Sequence, residues 1–390
     1  MRPILLTLAL STAVHAGISF EKHVISTEFV AEGASVADFD GDGHLDIAAG
    51  PYIWFGPTFE KRVAFRTPPP TLDPVTTYSD AFLGGVVDLN GDGKPDIVQM
   101  GFPGKETFAY LNPGKGGGEW KRRVILASTD GESPGLGEIT ANGKPSLVCF
   151  SGGSAGYADL PWGNEDKPGV FHAISKPNPG LYQRFTHGQG FGDLNGDGRP
   201  DIVDKTGWFE QPAAVSGPWP FHPFAFSNEG GAQMLVFDVN GDGRKDVVTS
   251  LNAHGYGISW FEQKADGSFV PHPILVQDAS KNPGGVGFSQ PHAMAMADIN
   301  GDGIPDLITG KRHYAHGDHG DPEPQADAVL YWFETKRDGK GGAEFIPHEI
   351  DRASGVGTQV TVMDMNGDKK PDIVVANKNG VFVFLQKATP

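Results

Sequence analysis

The sequence predicts an all-β fold: a seven-bladed β-propeller with four-stranded blades. Three observations carry that prediction. A nine-residue acidic loop recurs seven times along the 390 residues, at spacings of 45 to 66. Short apolar and aromatic runs surround each copy, and no long segment carries a 3.6-residue apolar period. The two chain ends look like complementary fragments of one repeat, so the array can close on itself and leave no open sheet edge.

In chain order, Met1–Ala16 reads MRPILLTLALSTAVHA. A basic residue, a short apolar run and small residues at Val14 and Ala16 form a signal-peptide pattern cleaved after Ala16. The run is too short to span a bilayer as a helix, which takes about 20 residues. Residues 17–390 are expected to form a single propeller. Ile18 to Ile25 has the look of a fourth strand without its first three. Val381 to Leu385 has the look of a third strand without its fourth.

Between these ends come the loops. Asp38 opens DFDGDGHLD, Asp88 DLNGDGKPD, Asp193 DLNGDGRPD, Asp238 DVNGDGRKD, Asp298 DINGDGIPD and Asp364 DMNGDKKPD. Glu138 opens a degraded copy, EITANGKPS. Each loop follows small or apolar residues and precedes an apolar strand such as Asp201-Ile202-Val203. Aromatic third strands follow in several copies, for example Trp260-Phe261-Glu262-Gln263 and Tyr331-Trp332-Phe333-Glu334. Histidine-bearing fourth strands come last, as in Val270 to Leu275 and Ile346 to Ile350.

These D-x-N-G-D-G-x-x-D loops, with their flanking strands, resemble the FG-GAP or VCBS repeats of integrin-α-type seven-bladed propellers. The residues themselves read as calcium chemistry. Carboxylate and amide oxygens at positions 1, 3, 5 and 9 are hard ligands, and the glycines let the backbone turn around one point. The expected ligands are Asp38, Asp40, Asp42 and Asp46; Asp88, Asn90, Asp92 and Asp96; Asp193, Asn195, Asp197 and Asp201; Asp238, Asn240, Asp242 and Asp246; Asp298, Asn300, Asp302 and Asp306; Asp364, Asn366, Asp368 and Asp372. About six structural Ca²⁺ ions follow, with the Glu138 copy binding poorly and the last copy weakened by Lys369. A single copy would also fit an Asn-Gly turn whose carboxylates cap their own backbone.

Composition narrows the partners. The formal net charge is -17, with 31 basic and 48 acidic residues. That balance excludes a general nucleic-acid binder, which needs a basic face. Membrane insertion is not expected, since no other segment approaches spanning length. The single cysteine, Cys149, excludes an intrachain disulfide framework, so in a secreted chain metal ions would take over that stabilising role. No nucleophilic triad, phosphate loop or dinucleotide fingerprint is present.

The loops should lie at one face of the disk. Six residues before each loop, Glu32, Phe82, Glu132, His187, Ala232, His292 and Thr358 should ring the central channel at the opposite, top face. The segments after the second strands add Asn252-Ala253-His254 and Lys311-Arg312-His313-Tyr314-Ala315-His316, which opens a long insert. The candidate catalytic set is His292, His316, Lys311, Arg312, His187 and His254. His292 and His316 are expected as metal ligands or base, with His187 and His254 as alternates. Lys311 and Arg312 are expected to stabilise an oxyanion or grip hydroxyls. A second divalent metal (Zn²⁺, Mn²⁺ or Mg²⁺) would fit there.

Thr186 to Glu334 also resembles bacterial propellers similar to the propeller domain of fungal aldos-2-ulose dehydratase. The likeness lies in Gly207 to Pro212, Asn252-Ala253-His254, Ser289-Gln290-Pro291-His292 and Gly310 to His316. It implies elimination of water or an alcohol from a keto-sugar, hence a carbohydrate-processing lyase. The other readings from the sequence are a non-catalytic extracellular propeller that binds a glycan or protein, and an adhesive one.

Overall fold

The computed structural model describes residues 17–388 apart from 116–117, 164–165 and 216. The expected signal peptide lies outside the described residues. Strands dominate, and the only helical elements among the described residues are two 3₁₀ turns, Ala279–Lys281 and Pro283–Gly285. No helix among them is long and apolar enough to cross a membrane.

Among the described residues, strand pairing divides into seven four-stranded antiparallel meanders. Their innermost strands are Ser35–Ala37, Leu83–Val87, the end of Lys121–Gly137, Gln189–Gly192, Gln233–Phe237, Met294–Ala297 and Val360–Met363. Lys121–Gly137 serves twice: its start is the outer strand of the second unit and its end the inner strand of the third. Gly131, at φ 87°, lies where it changes partners. The seventh unit joins both chain ends. Val360–Met363, Asp372–Asn377 and Gly380–Ala388 are completed by Ile18–Ser26, with Ile18 opposite Ala388 and Val24 opposite Phe382. The expected closure is therefore present, with both terminal strands longer than the sequence pattern marked.

The period of two explains the core. In the sixth unit Leu307 and Phe333 face the fifth, against Val248 and Trp260. Their neighbours Ile308 and Trp332 face the seventh, against Val375 and Phe384. Successive residues thus supply opposite interfaces, and both sides of each second strand are buried. Near the channel, a Cβ on Gly190 would fall 1.9 Å from the Met234 carbonyl oxygen, so only glycine permits the parallel contact of the fourth and fifth inner strands.

Two repeated devices tie the units. An amide at the end of the third strand reaches back to the preceding unit. Gln211 Nε2 donates to the Ile139 carbonyl (2.7 Å), Gln386 Nε2 to Ile299 (2.6 Å) and Asn112 Nδ2 to Phe39 (2.8 Å). In the sixth unit Arg337 substitutes, donating to the carbonyls of Val239 and Asp238. On the outside, His222, His272 and His348 stack on Trp208, Trp260 and Trp332 at 4.1, 4.4 and 4.1 Å. Each also pairs with a third-strand glutamate: Glu210, Glu262 or Glu334. These outer histidines stiffen the rim, away from the channel.

Candidate functional site

The acidic loops follow the inner strands, and the ring residues precede them, so the two sets lie at opposite ends of short strands. At the loop end, Asp38, Asp40 and Asp42 each bring a carboxylate oxygen within 4.8 Å of the others. The first aspartate of each intact loop also turns the backbone. Asp298 Oδ1 accepts from the N–H of Gly301 and Asp302, and Oδ2 from Gly303.

The ninth-position carboxylates stand apart. Asp46, Asp96, Asp201, Asp246, Asp306 and Asp372 are wholly buried. Each accepts a backbone N–H from the loop's second residue and another from the region where the third strand ends; Asp201 accepts from Leu194 and Gln211, and from Asn195 as well. Burial pushes Asp46, Asp201 and Asp246 up to about 6 and Asp306 to about 7. In this arrangement they staple loop to strand, and only their remaining lone pairs would face an ion. In the degraded loop the first-position Glu138 keeps one backbone bond, from Gly143 N–H, and Ser146 stands where the ninth carboxylate would be.

At the top end the ring residues converge. Thr358 donates from its backbone to the Glu32 carbonyl (2.8 Å) and from its hydroxyl to that of Phe82. Inside the ring, Glu132, His187, His254 and His292 place one ligand atom each within 4.8 Å of the rest. His187 Nε2 lies 3.1 Å from His254 Nε2 and 3.4 Å from Glu132 Oε2, which lies 3.2 Å from His292 Nε2. His254 arrives from the loop after the second strand of the fifth unit. Its backbone N–H donates to Asn252 Oδ1.

Charge around this cluster is paired. Arg312, 2% exposed, donates from Nη1 to His292 Nε2 (2.8 Å) and from Nη2 to Glu32 Oε2 (2.9 Å). Burial and the Arg312 cation hold His292 well below the usual imidazole range, so the ring is neutral. Burial likewise lowers His254, against a raising contribution from Asp321. Burial would raise the Glu132 carboxyl, but His187 and His292 outweigh it and hold it well below the carboxylate range.

Asp321 belongs to the insert after Arg312 and faces two histidines. Its Oδ1 is 2.9 Å from His316 Nδ1 and 3.4 Å from His254 Nδ1. His316 is half-exposed, and its ring packs on His254 at 4.4 Å. A cavity of about 370 Å³ opens above the cluster. Glu132, His187, His254, Arg312 and His316 line one side, and Tyr78, Phe82, Phe102 and Phe185 the other.

Of the six expected catalytic residues, the structure brings His187, His254, His292, His316 and Arg312 together. His292 lies beneath the cavity at 1% exposure, a place for a ligand and not for a base that meets substrate. Lys311 does not join them. It is wholly buried, its Nζ donates to Ser289 Oγ (2.6 Å), and burial lowers its pKa to about 8. The candidate set omitted Glu132 and Asp321. Glu132 stood in the ring register beside His187 and His292, which was signal enough. Asp321 sits among several acidic residues of an irregular insert, and nothing in the spacing marks it.

Residues 217–309 match the family model for an FG-GAP-like repeat, a stretch that holds the loops opened by Asp238 and Asp298. No curated protein sequence matches the chain. Among solved structures the chain is similar to an Agrocybe aegerita lectin described as recognising non-reducing terminal N-acetylglucosamine. Identity there is 20% over 84% of this chain and 81% of that one, with a TM-score of 0.47. It is similar also to rhamnogalacturonan lyase YesW, at 14% identity over 96% and 72% of the two chains and a TM-score of 0.47. Virginiamycin B lyase from Staphylococcus aureus gives 16% identity over 95% and 99%, with a TM-score of 0.49.

Proposed function

From the premise that this chain is an FG-GAP-repeat β-propeller, we propose a secreted, calcium-stabilised carbon–oxygen lyase that acts on a keto-sugar at a divalent metal centre on the top face. One observation carries the reading: four donor atoms, three imidazole nitrogens and one carboxylate oxygen, converge below a cavity. Tetrahedral coordination at a metal–nitrogen distance of about 2.0–2.1 Å sets neighbouring ligand atoms roughly 3.3 Å apart. The separations of 3.1, 3.2 and 3.4 Å fit that figure. The lowered His254 and His292 and the ionised Glu132 carboxylate are also in the protonation states that ligation needs. Glu132, His187, His254 and His292 would hold the ion, His292 turning its Nε2 lone pair from Arg312 to the metal, and Asp321 would orient His254 through its other ring nitrogen.

When bound, the ion would polarise a substrate carbonyl as a Lewis acid. The chain's own groups do the rest. His316, fixed by Asp321 at the cavity wall, takes the proton from the carbon next to the carbonyl and returns it to the departing oxygen. Arg312, held by Glu32, steadies negative charge on the substrate. The aromatic wall excludes water and stacks on the C–H face of the ring. At the other face we propose Ca²⁺ in the six intact acidic loops, held by the carboxylates and amides of positions 1, 3 and 5 and the free lone pairs of position 9.

The test starts from metal-stripped protein titrated with Zn²⁺, Mn²⁺ and Mg²⁺, followed by 2-keto- and 3-keto-sugars with the enone absorbance as readout. One tightly held ion per chain beyond the calcium, lost in Glu132→Gln, is the expected result. Wild-type protein that binds no such ion would sink the centre. Metal-loaded protein that binds keto-sugars without converting them would make it a binding module.

A further inference from the structure

We infer that the substrate has two parts, a keto-sugar ring joined to a second sugar, and that the reaction expels the second sugar as the alcohol rather than water. This rests on the keto-sugar reading above and adds to it the identity of the leaving group.

The observation is a second cavity. It measures about 610 Å³, lies over the second unit, and shares Tyr78 and Phe102 with the 370 Å³ cavity above the histidines. Tyr78 and Phe102 pack together at 5.2 Å and form a common wall between the two spaces. The outer cavity differs in chemistry. Arg66, Lys105, Arg122, Asp80, Glu106 and Gln99 line it beside aromatic rings. The Arg122 guanidinium sits over the Phe108 ring at 4.1 Å. Planar polar groups at the edge of an aromatic platform suit a sugar, whose hydroxyls point sideways and whose C–H face stacks. The inner cavity's charged and imidazole groups, Glu132, His187, His254, Arg312 and His316, mark where the carbonyl and the cleaved bond belong.

The step balances without water or oxidant. His316 removes the proton from the carbon between the carbonyl and the glycosidic carbon. That C–H pair becomes the new C=C bond, and the bond from the glycosidic carbon to oxygen breaks. Its electrons leave with the oxygen, which takes the proton from His316. The products are an enone sugar and the free second sugar in equal amounts.

The experiment compares 3-keto-cellobiose with 3-keto-glucose on the metal-loaded full chain, by calorimetric affinity and by enzymatic assay of released glucose. Keto-cellobiose should bind at least ten-fold more tightly and yield one glucose per enone. The double variant Lys105→Ala/Arg122→Ala, which touches only the outer cavity, should lose most of that gain and leave keto-glucose affinity unchanged. Equal affinity for the two ligands would overturn the inference. So would a gain that survives the double variant, or enone formation without glucose. Enone from keto-glucose alone would keep the lyase and discard the two-part substrate. Binding of neither ligand overturns the inference, and metal content then decides separately whether the centre stands.

Discussion

Single residues carry the sharpest expectations. Cys149 is wholly buried, and burial pushes its thiol far up, so thiolate is absent at neutral pH. A thiol reagent should label it only in denaturant; rapid labelling of native protein would contradict its packing. His313 is a second case. Burial, aided by Lys311 and Lys378, lowers it from 6.5 to about 4. The unfolded chain therefore takes up a proton at a pH where the folded chain does not. Stability from this group is full above about 6.5 and is lost as pH falls towards 4. His313→Gln should flatten the acid limb of a melting-temperature profile between those values. Asp321→Asn should weaken metal affinity at the histidine cluster about 10–100-fold while the ligands remain, measurable by chelator competition. Residue identity and register announced His187 and His292 in the sequence. Side-chain direction did not show there, and direction is what separates Lys311, bonded to Ser289, from its equally buried neighbour Arg312, bonded to His292.

At the scale of the element, the repeated loop was legible because its residues are local: nine positions, fixed glycines and an acidic ladder. The use of its last carboxylate was not. Whether Asp201 serves an ion or the backbone depends on where the third strand ends, which is a tertiary fact. The same limit hid the amide latch. Gln211 closes an aromatic strand in the sequence, and nothing local shows that its side chain meets Ile139 in the preceding unit. Gln211→Ala takes the side-chain donor from the buried Ile139 carbonyl and from the part-buried Pro200 carbonyl. It should cost about 1–3 kcal/mol in denaturant unfolding, while Gln→Ala at an exposed site should cost little. Loss of calcium should be unequal among loops. In Ca²⁺-saturated buffer Asp197→Ala should lower the melting temperature more than Asn142→Ala in the degraded copy, and equal losses would argue that the loops are turns alone.

For the whole molecule, the fold class and the joining of the chain ends followed from repetition and from two incomplete end fragments. The doubled use of Lys121–Gly137 did not, because a strand that changes partners looks like any other apolar run. With a net charge of -17 the metal-free ring repels itself at its loop face, and six divalent ions would offset most of that charge. Chelation by EDTA should lower the melting temperature, and an unchanged melt together with no calcium by elemental analysis would refute a structural role for the ion.

The pairing of Ile18–Ser26 with Gly380–Ala388 has a consequence in time. A ribosome makes the first of these strands before all the other described strands and the second after them. Until then the earliest strand has no partner, and the seventh meander cannot form. The nascent chain therefore passes through most of the synthesis of this propeller with its last seam open, and the finished disk appears only once Gly380–Ala388 has been made. Such a polypeptide stays threadable for as long as it is being made.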